Sequence, residues 1–141
     1  MALVYLDASA LVKLCVPEPG SELASALWNR ADVVVTSRLA DAEVRAVLAA
    51  GERAGVIDAA TRERGLATWE RLWPTMHVVE LTAEVSARAA EVLATSSVPL
   101  RAGDAVHVAS ALVVAHPDTV VGAWDEHVAG AARSRHLRVL P

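Results

Sequence analysis

Leu3-Val4-Tyr5-Leu6-Asp7-Ala8-Ser9 is the stretch that decides the fold. Its apolar run stops abruptly on a carboxylate, ahead of a helix-forming segment from Ala8 to Val16. A continuous apolar run of this length reads as a strand covered on both faces, the habit of parallel sheets. An acid at the carboxyl end of such a strand stands where open α/β sheets receive their ligands. Asp7 is therefore the first candidate site residue, and the remaining polar residues are judged by whether the chain can bring them to it.

Outward from this strand, the chain alternates between strand and helix. Pro17-Glu18-Pro19-Gly20-Ser21 is a break, with Ser21 as a cap for a helix from Glu22 to Asn29. Val33 to Thr36 is a β-branched strand; Ser37 then caps a long helix from Arg38 to about Ala54, ended by Gly55. Asp58 or Thr61 opens a helix through Leu72, which Trp73-Pro74 stops. Met76 to Leu81 is a strand, Thr82 opens a helix to about Thr95, and Ser96-Ser97-Val98-Pro99 breaks it. A helix from Asp104 to Ala115, a strand from Thr119 to Gly122, a helix from Asp125 to Arg133 and a strand from Leu137 to Leu140 complete the order. This alternation predicts one α/β domain over residues 1–141, a central, mostly parallel sheet flanked by helices.

Four acids fall at related places. Asp7 follows the first strand, Asp104 opens a helix after Gly103, and Asp125 opens a helix shortly after the fourth strand. Glu43 is argued from helical phase. At about 100° per residue, Leu39, Ala46, Val47, Ala50 and Ala54 lie within roughly 60° of it, with Asp41, Arg45 and Glu52 on the far side. Glu43 is thus expected in an apolar stripe, where an unpaired charge is costly. Singly, Asp104 and Asp125 read as ordinary helix caps, worth about 1 kcal/mol each. Together the four share a simpler cause, one acidic pocket at one end of the sheet. Two carboxylates about 4 Å apart repel by about 4 kcal/mol at an effective dielectric near 20. Four such groups need a cation or retained protons. An all-oxygen set suits Mg²⁺ or Mn²⁺ rather than zinc, and these ions serve phosphoryl chemistry, which points to a hydrolytic phosphodiesterase.

Supporting groups follow. The Ser9 hydroxyl can hold a water at the metal, orient Asp7 or bond its own backbone. His107, one turn from Asp104, can bond that acid or a substrate, or serve as a satisfied core histidine. His127 neighbours Asp125, and the other histidines show no metal-ligand spacing. Trp28, Trp69 and Trp73 are expected in the core, and Trp124, beside Asp125, is the candidate for stacking on a base.

Bulk properties limit the function classes. The 141 residues are 54% hydrophobic and 21% charged, which excludes general disorder. No run reaches bilayer length, and no basic region precedes the first apolar run, so neither a membrane span nor a secretory signal is expected. The lone Cys15 excludes an intrachain disulfide, fits a reducing cytoplasm and reads as a core residue. A net charge of −4 argues against a broad basic nucleic-acid face, although twelve arginines stand against the single Lys13. Arg45, Arg53, Arg62, Arg64 and Arg71 form a candidate set for phosphate contact, partner binding or solubility.

Four segments resemble the PIN-domain ribonucleases, and in particular the VapC-type toxins of bacterial toxin–antitoxin pairs. They are Val4 to Lys13, Arg38 to Val44, Leu100 to Ala109 and Val120 to Asp125. The resemblance spans the chain and rests on the order and spacing of these pieces. It implies a PIN fold and Mg²⁺- or Mn²⁺-dependent cleavage of RNA in an acidic pocket. Asp7 and Asp104 would be the principal metal ligands, with Glu43 and Asp125 completing the pocket directly or through water. It also implies a homodimer and a VapB-like antitoxin whose tail, often with an arginine, enters the pocket. One position departs from the pattern: Ala123 stands where a threonine or serine often precedes the last aspartate by two residues.

Other classes fit less well. Haloacid-dehalogenase-type enzymes need a second aspartate where Ser9 stands, and response-regulator receivers need a lysine late in the chain. A non-catalytic PIN-like module that binds an antitoxin or RNA is the remaining alternative, and Ala123 is its one support.

Overall fold

A computed structural model describes all residues, 1–141. Its elements are β1 (Leu3–Leu6), α1 (Ala8–Cys15), α2 (Ser21–Arg30), β2 (Val33–Ser37), α3 (Ala40–Arg53) and α4 (Ala59–Leu72). A single 3₁₀ turn at Trp73–Thr75 leads to β3 (His77–Val79), α5 (Ala83–Thr95), α6 (Ala102–Val114), β4 (Val120–Gly122), α7 (Glu126–Ser134) and β5 (Arg138–Leu140). The five strands form one sheet in the order β3-β2-β1-β4-β5, and every pairing is parallel. The apolar run at Leu3–Leu6 thus becomes the central strand, with Tyr5 and Leu6 fully buried.

Alternation along β1 divides the core in two. Val4 and Leu6 join Leu11, Leu27, Val44, Leu48 and Trp69 of α1 to α4 on one face. Tyr5 joins Val35, Val121 and the inner residues of α5, α6 and α7 on the other. Fully burying a Leu- or Val-sized side chain contributes about 1.5–3 kcal/mol, so the central strand anchors both layers. Gly122 allows β4 to pack tightly here: a Cβ at that position would lie 2.6 Å from Leu6 Cδ2 and 3.0 Å from Leu27 Cδ1.

The strand order fixes where a ligand belongs. The chain moves outward from β1 to β2 and β3, then returns to place β4 on the other side of β1. The direction of winding reverses between β1 and β4, and open α/β sheets open a crevice at such a point, beyond the carboxyl ends of the strands.

Several local expectations change. Ser37 ends β2 and its hydroxyl accepts the Leu39 N–H (3.1 Å), while α3 begins at Ala40 with no side-chain cap. Ser21 lies inside α2, whose cap position is Gly20 at φ 95°. Asp104 is the third residue of α6 rather than its cap. The apolar stripe drawn around Glu43 is also wrong. α3 buries Ala40, Val44 and Leu48, while Val47 is 48% exposed and Ala46, Ala50 and Ala54 are exposed too. Alanine carries little phase information, and three alanines had rotated the inferred face away from the true one. Glu43 flanks the buried row and points from its edge into a cleft. Asp41 is not free on the far side, because Trp69 Nε1–H donates to its Oδ1 (2.8 Å).

Candidate active site

Asp7 caps α1 and is only 2% exposed. Its Oδ1 accepts the Ala10 N–H (3.0 Å) and the Ser9 hydroxyl (2.6 Å). Burial pushes the Asp7 carboxyl above its ordinary range and the Asp125 charge adds to the rise, while the bonds from Ser9 and Ala10 pull it down. Ser9 has a second task beyond orienting Asp7. Its oxygen accepts the backbone N–H groups of Trp124 (2.9 Å) and Asp125 (3.2 Å), tying the end of β1 to the turn after β4. It makes no capping bond to its own backbone.

Asp125 caps α7, its Oδ1 accepting the N–H groups of His127 (2.9 Å) and Val128 (3.0 Å). Asp104 reaches back with Oδ2 to the Arg101 N–H (2.9 Å). Glu43 Oε1 lies 2.6 Å from His107 Nε2, and His107 Nδ1 lies 2.8 Å from the Tyr5 hydroxyl. His107 therefore serves Glu43, not Asp104, and it is a satisfied core histidine at 2% exposure. Burial raises the Tyr5 phenol well above its usual range, with the Asp7 charge adding to this and Ser110 opposing it.

All four acids line one open cleft of about 460 Å³ at the winding reversal, together with Ser9 and His107. In each acid one oxygen takes every protein hydrogen bond and the other takes none: Oδ2 of Asp7 and Asp125, Oδ1 of Asp104 and Oε2 of Glu43. Two cations that the sequence did not single out for the cleft, Lys13 and Arg101, also line it. Lys13 Nζ is held by Glu18 Oε1 (3.0 Å) and the Pro19 carbonyl (2.8 Å), and lies 5.3 Å from the Trp124 ring centroid. The Arg101 guanidinium makes no ion pair. Only the spacing to Asp104 could have flagged Arg101 beforehand, and many solvated arginines share it.

Other expected contributors lie elsewhere. The Trp124 ring packs between Lys13 and Gly20, outside the cleft lining, so it is not poised for stacking. Trp69 is fully buried; Trp28 and Trp73 are half-buried. Arg45 is paired with Asp41 and Glu70, and Arg62 with Glu52. A larger hollow of about 700 Å³ lies at the opposite end of the sheet, by Trp28, Arg71 and His77. Its one acid, Asp32, accepts the Ala2 N–H at 2.6 Å. The smaller cleft is the one that gathers the four acids.

The sequence matches the family described as PIN domain over residues 4–133. It is also 45% identical to "Ribonuclease VapC45" of Mycobacterium tuberculosis, covering 100% of this chain and 96% of that one. The chain belongs to the PIN-domain family, on its VapC branch. Solved PIN-fold structures agree at the level of the fold. FitAcB from Neisseria gonorrhoeae superposes with a TM-score of 0.71 at 17% identity, covering 98% of this chain and 96% of that one. Mycobacterium tuberculosis VapC20, described as a sarcin–ricin-loop-cleaving toxin, gives 0.69 at 20% identity over 91% and 94%.

The cleft of this PIN domain suits a hard divalent cation in its chemistry. The donors are all carboxylate oxygens, each with one oxygen open, and no thiol or free imidazole competes. No three acidic or histidine side chains converge tightly enough to hold an ion among themselves. A cation held through one or two carboxylates that keeps several of its waters, as Mg²⁺ does, needs no tighter cluster.

Proposed function

We propose that the protein is a metal-dependent ribonuclease, the toxin of a toxin–antitoxin pair, which hydrolyses RNA phosphodiester bonds in the cleft between β1 and β4. The observation that carries this reading is the gathering of Asp7, Glu43, Asp104 and Asp125 from four separate elements, each with one fixed and one open oxygen. The VapC45 likeness supports the same chemistry.

Asp7 and Asp104 would hold Mg²⁺ or Mn²⁺, with Glu43 and Asp125 completing the pocket. When bound, the cation neutralises phosphate charge and lowers the pKa of a water for attack. The protein's own part is positioning. Ser9 keeps Asp7 and the Asp125 turn in register, and Ala10, Arg101, His127 and Val128 fix the carboxylates through backbone N–H groups. Water adds to phosphorus and gives up a proton to solvent, the P–O bond to the leaving nucleoside breaks, and that oxygen takes up a proton from solvent. Arg101, free of ion pairs at the cleft, neutralises a neighbouring phosphate of the strand. The same acids would receive an arginine from an antitoxin tail, and a homodimer is the expected assembly.

A non-catalytic PIN module is the competing reading. Ala123 favours it, since its buried methyl offers no hydroxyl to the cleft. RNA cleavage by the purified protein decides between them. Activity with Mg²⁺ or Mn²⁺ that is lost with EDTA and in Asp7→Ala is the expected result; cleavage that survives both sinks the metal mechanism. Growth inhibition that persists in Asp104→Asn would separate toxicity from this cleft.

A further inference from the structure

Tyr5 is the only hydroxyl within β1, and it is fully buried. A phenylalanine there and a leucine at position 107 would fill a similar volume without burying polar atoms, which is costly unless every one is satisfied. Instead the Tyr5 hydroxyl meets His107 Nδ1 at 2.8 Å, and His107 Nε2 meets Glu43 Oε1 at 2.6 Å. With His107 neutral, the direction of this chain follows from its members. An ionised Glu43 only accepts, so Nε2 carries the hydrogen. In a neutral imidazole Nδ1 is then an acceptor, and the phenol is its donor. Glu43 Oε2 is left beside Gly103, 3.6 Å from where a Cβ would stand and next in sequence to Asp104.

We propose that Tyr5 and His107 are positioning residues for Glu43: a one-way hydrogen-bond chain, Tyr5 O–H to Nδ1 and Nε2–H to Oε1, sets the imidazole tautomer and holds Oε2 at the cleft. The chain runs through the core from the α5–α7 layer to α3, so it also couples the orientation of one acid to the packing of the central strand. The effect on catalysis rests on the ribonuclease reading; the tautomer does not. Hydrogen-bonded partners behind a metal-site carboxylate typically change metal affinity or activity by about 10- to 100-fold when removed.

Long-range ¹H–¹⁵N spectra of the labelled full-length protein read the tautomer without any metal. The expected result is Nε2–H on His107, and Nδ1–H overturns the proposal. Tyr5→Phe should weaken Mn²⁺ binding in EPR titration by roughly tenfold or more, and lower kcat more than it changes KM. Wild-type Mn²⁺ affinity and kcat in that variant would also overturn it. If Tyr5→Phe does not fold, His107→Gln, which can keep a donor near the Nε2 position, should retain more Mn²⁺ affinity than His107→Leu; equal loss in both refutes positioning. A wild-type protein that neither binds Mn²⁺ nor cleaves RNA would defeat the ribonuclease reading, and the tautomer would still decide the chain.

Discussion

Asp7 combines deep burial with a carboxylate oxygen that accepts no protein hydrogen bond. Its stability effect has a definite sign. The folded pKa lies above the unfolded value of about 3.9, so between the two the folded state binds more protons than the unfolded one. Stability therefore falls as pH rises from that unfolded value through the raised folded one, and is level beyond. Asp7→Asn keeps an acceptor for Ser9 and Ala10 while removing the charge. In metal-free buffer it should melt higher than the wild type at neutral pH, with the advantage vanishing toward pH 3, as thermal unfolding across pH will show. On the metal-ribonuclease reading the same variant should lose about 100-fold or more in RNA cleavage, because several kcal/mol of transition-state charge stabilisation would depend on the metal. Cys15 shows burial without such tension: its thiol is pushed up to about 12 and is inert packing, as its helical setting implied.

At the scale of the elements, strands were legible because their signal is a run of apolar β-branched residues, and β1, β2 and β4 were found within a residue or two. The helix ends were legible where a side chain caps them, as Asp58, Thr82 and Asp125 do. They were missed where a backbone turn does the work, at Gly20 and Leu39. The position of Glu43 was right for a faulty reason. Its membership in the cleft follows from the edge of the Ala40–Val44–Leu48 row and from His107, a partner 64 residues away that periodicity cannot reveal. Asp41, placed on the side away from Glu43, joins α3 to α4 by accepting the buried Trp69 indole N–H and also accepts the Arg45 guanidinium. Those bonds hold its carboxyl below the usual range although burial pushes it up. Asp41→Ala strands a buried donor and should cost about 1–3 kcal/mol in denaturant unfolding followed by tryptophan fluorescence, with cleavage retained.

Over the whole molecule, a net charge of −4 and an acidic cleft would repel RNA without a cation. Metal and fold should therefore be linked. Mg²⁺ or Mn²⁺ at about 100 times its dissociation constant adds about 2.7 kcal/mol, a rise in Tm on the order of 10 °C at this size. Calorimetry with and without the ion, at matched ionic strength, should show that rise in the wild type and its absence in Asp104→Asn. No helix is long and apolar enough to cross a membrane. The sheet's winding order has a consequence for synthesis. β1 lies at the centre, yet its neighbour β4 and the Ser9 contacts to Trp124 and Asp125 come more than a hundred residues later. On the ribosome, a growing chain that has passed Asp104 already carries three of the acids but has no wall to close them in. Only when β4 pairs with β1 is the cleft complete, so on the ribonuclease reading the nascent polypeptide would lack an assembled site until most of this domain has been translated.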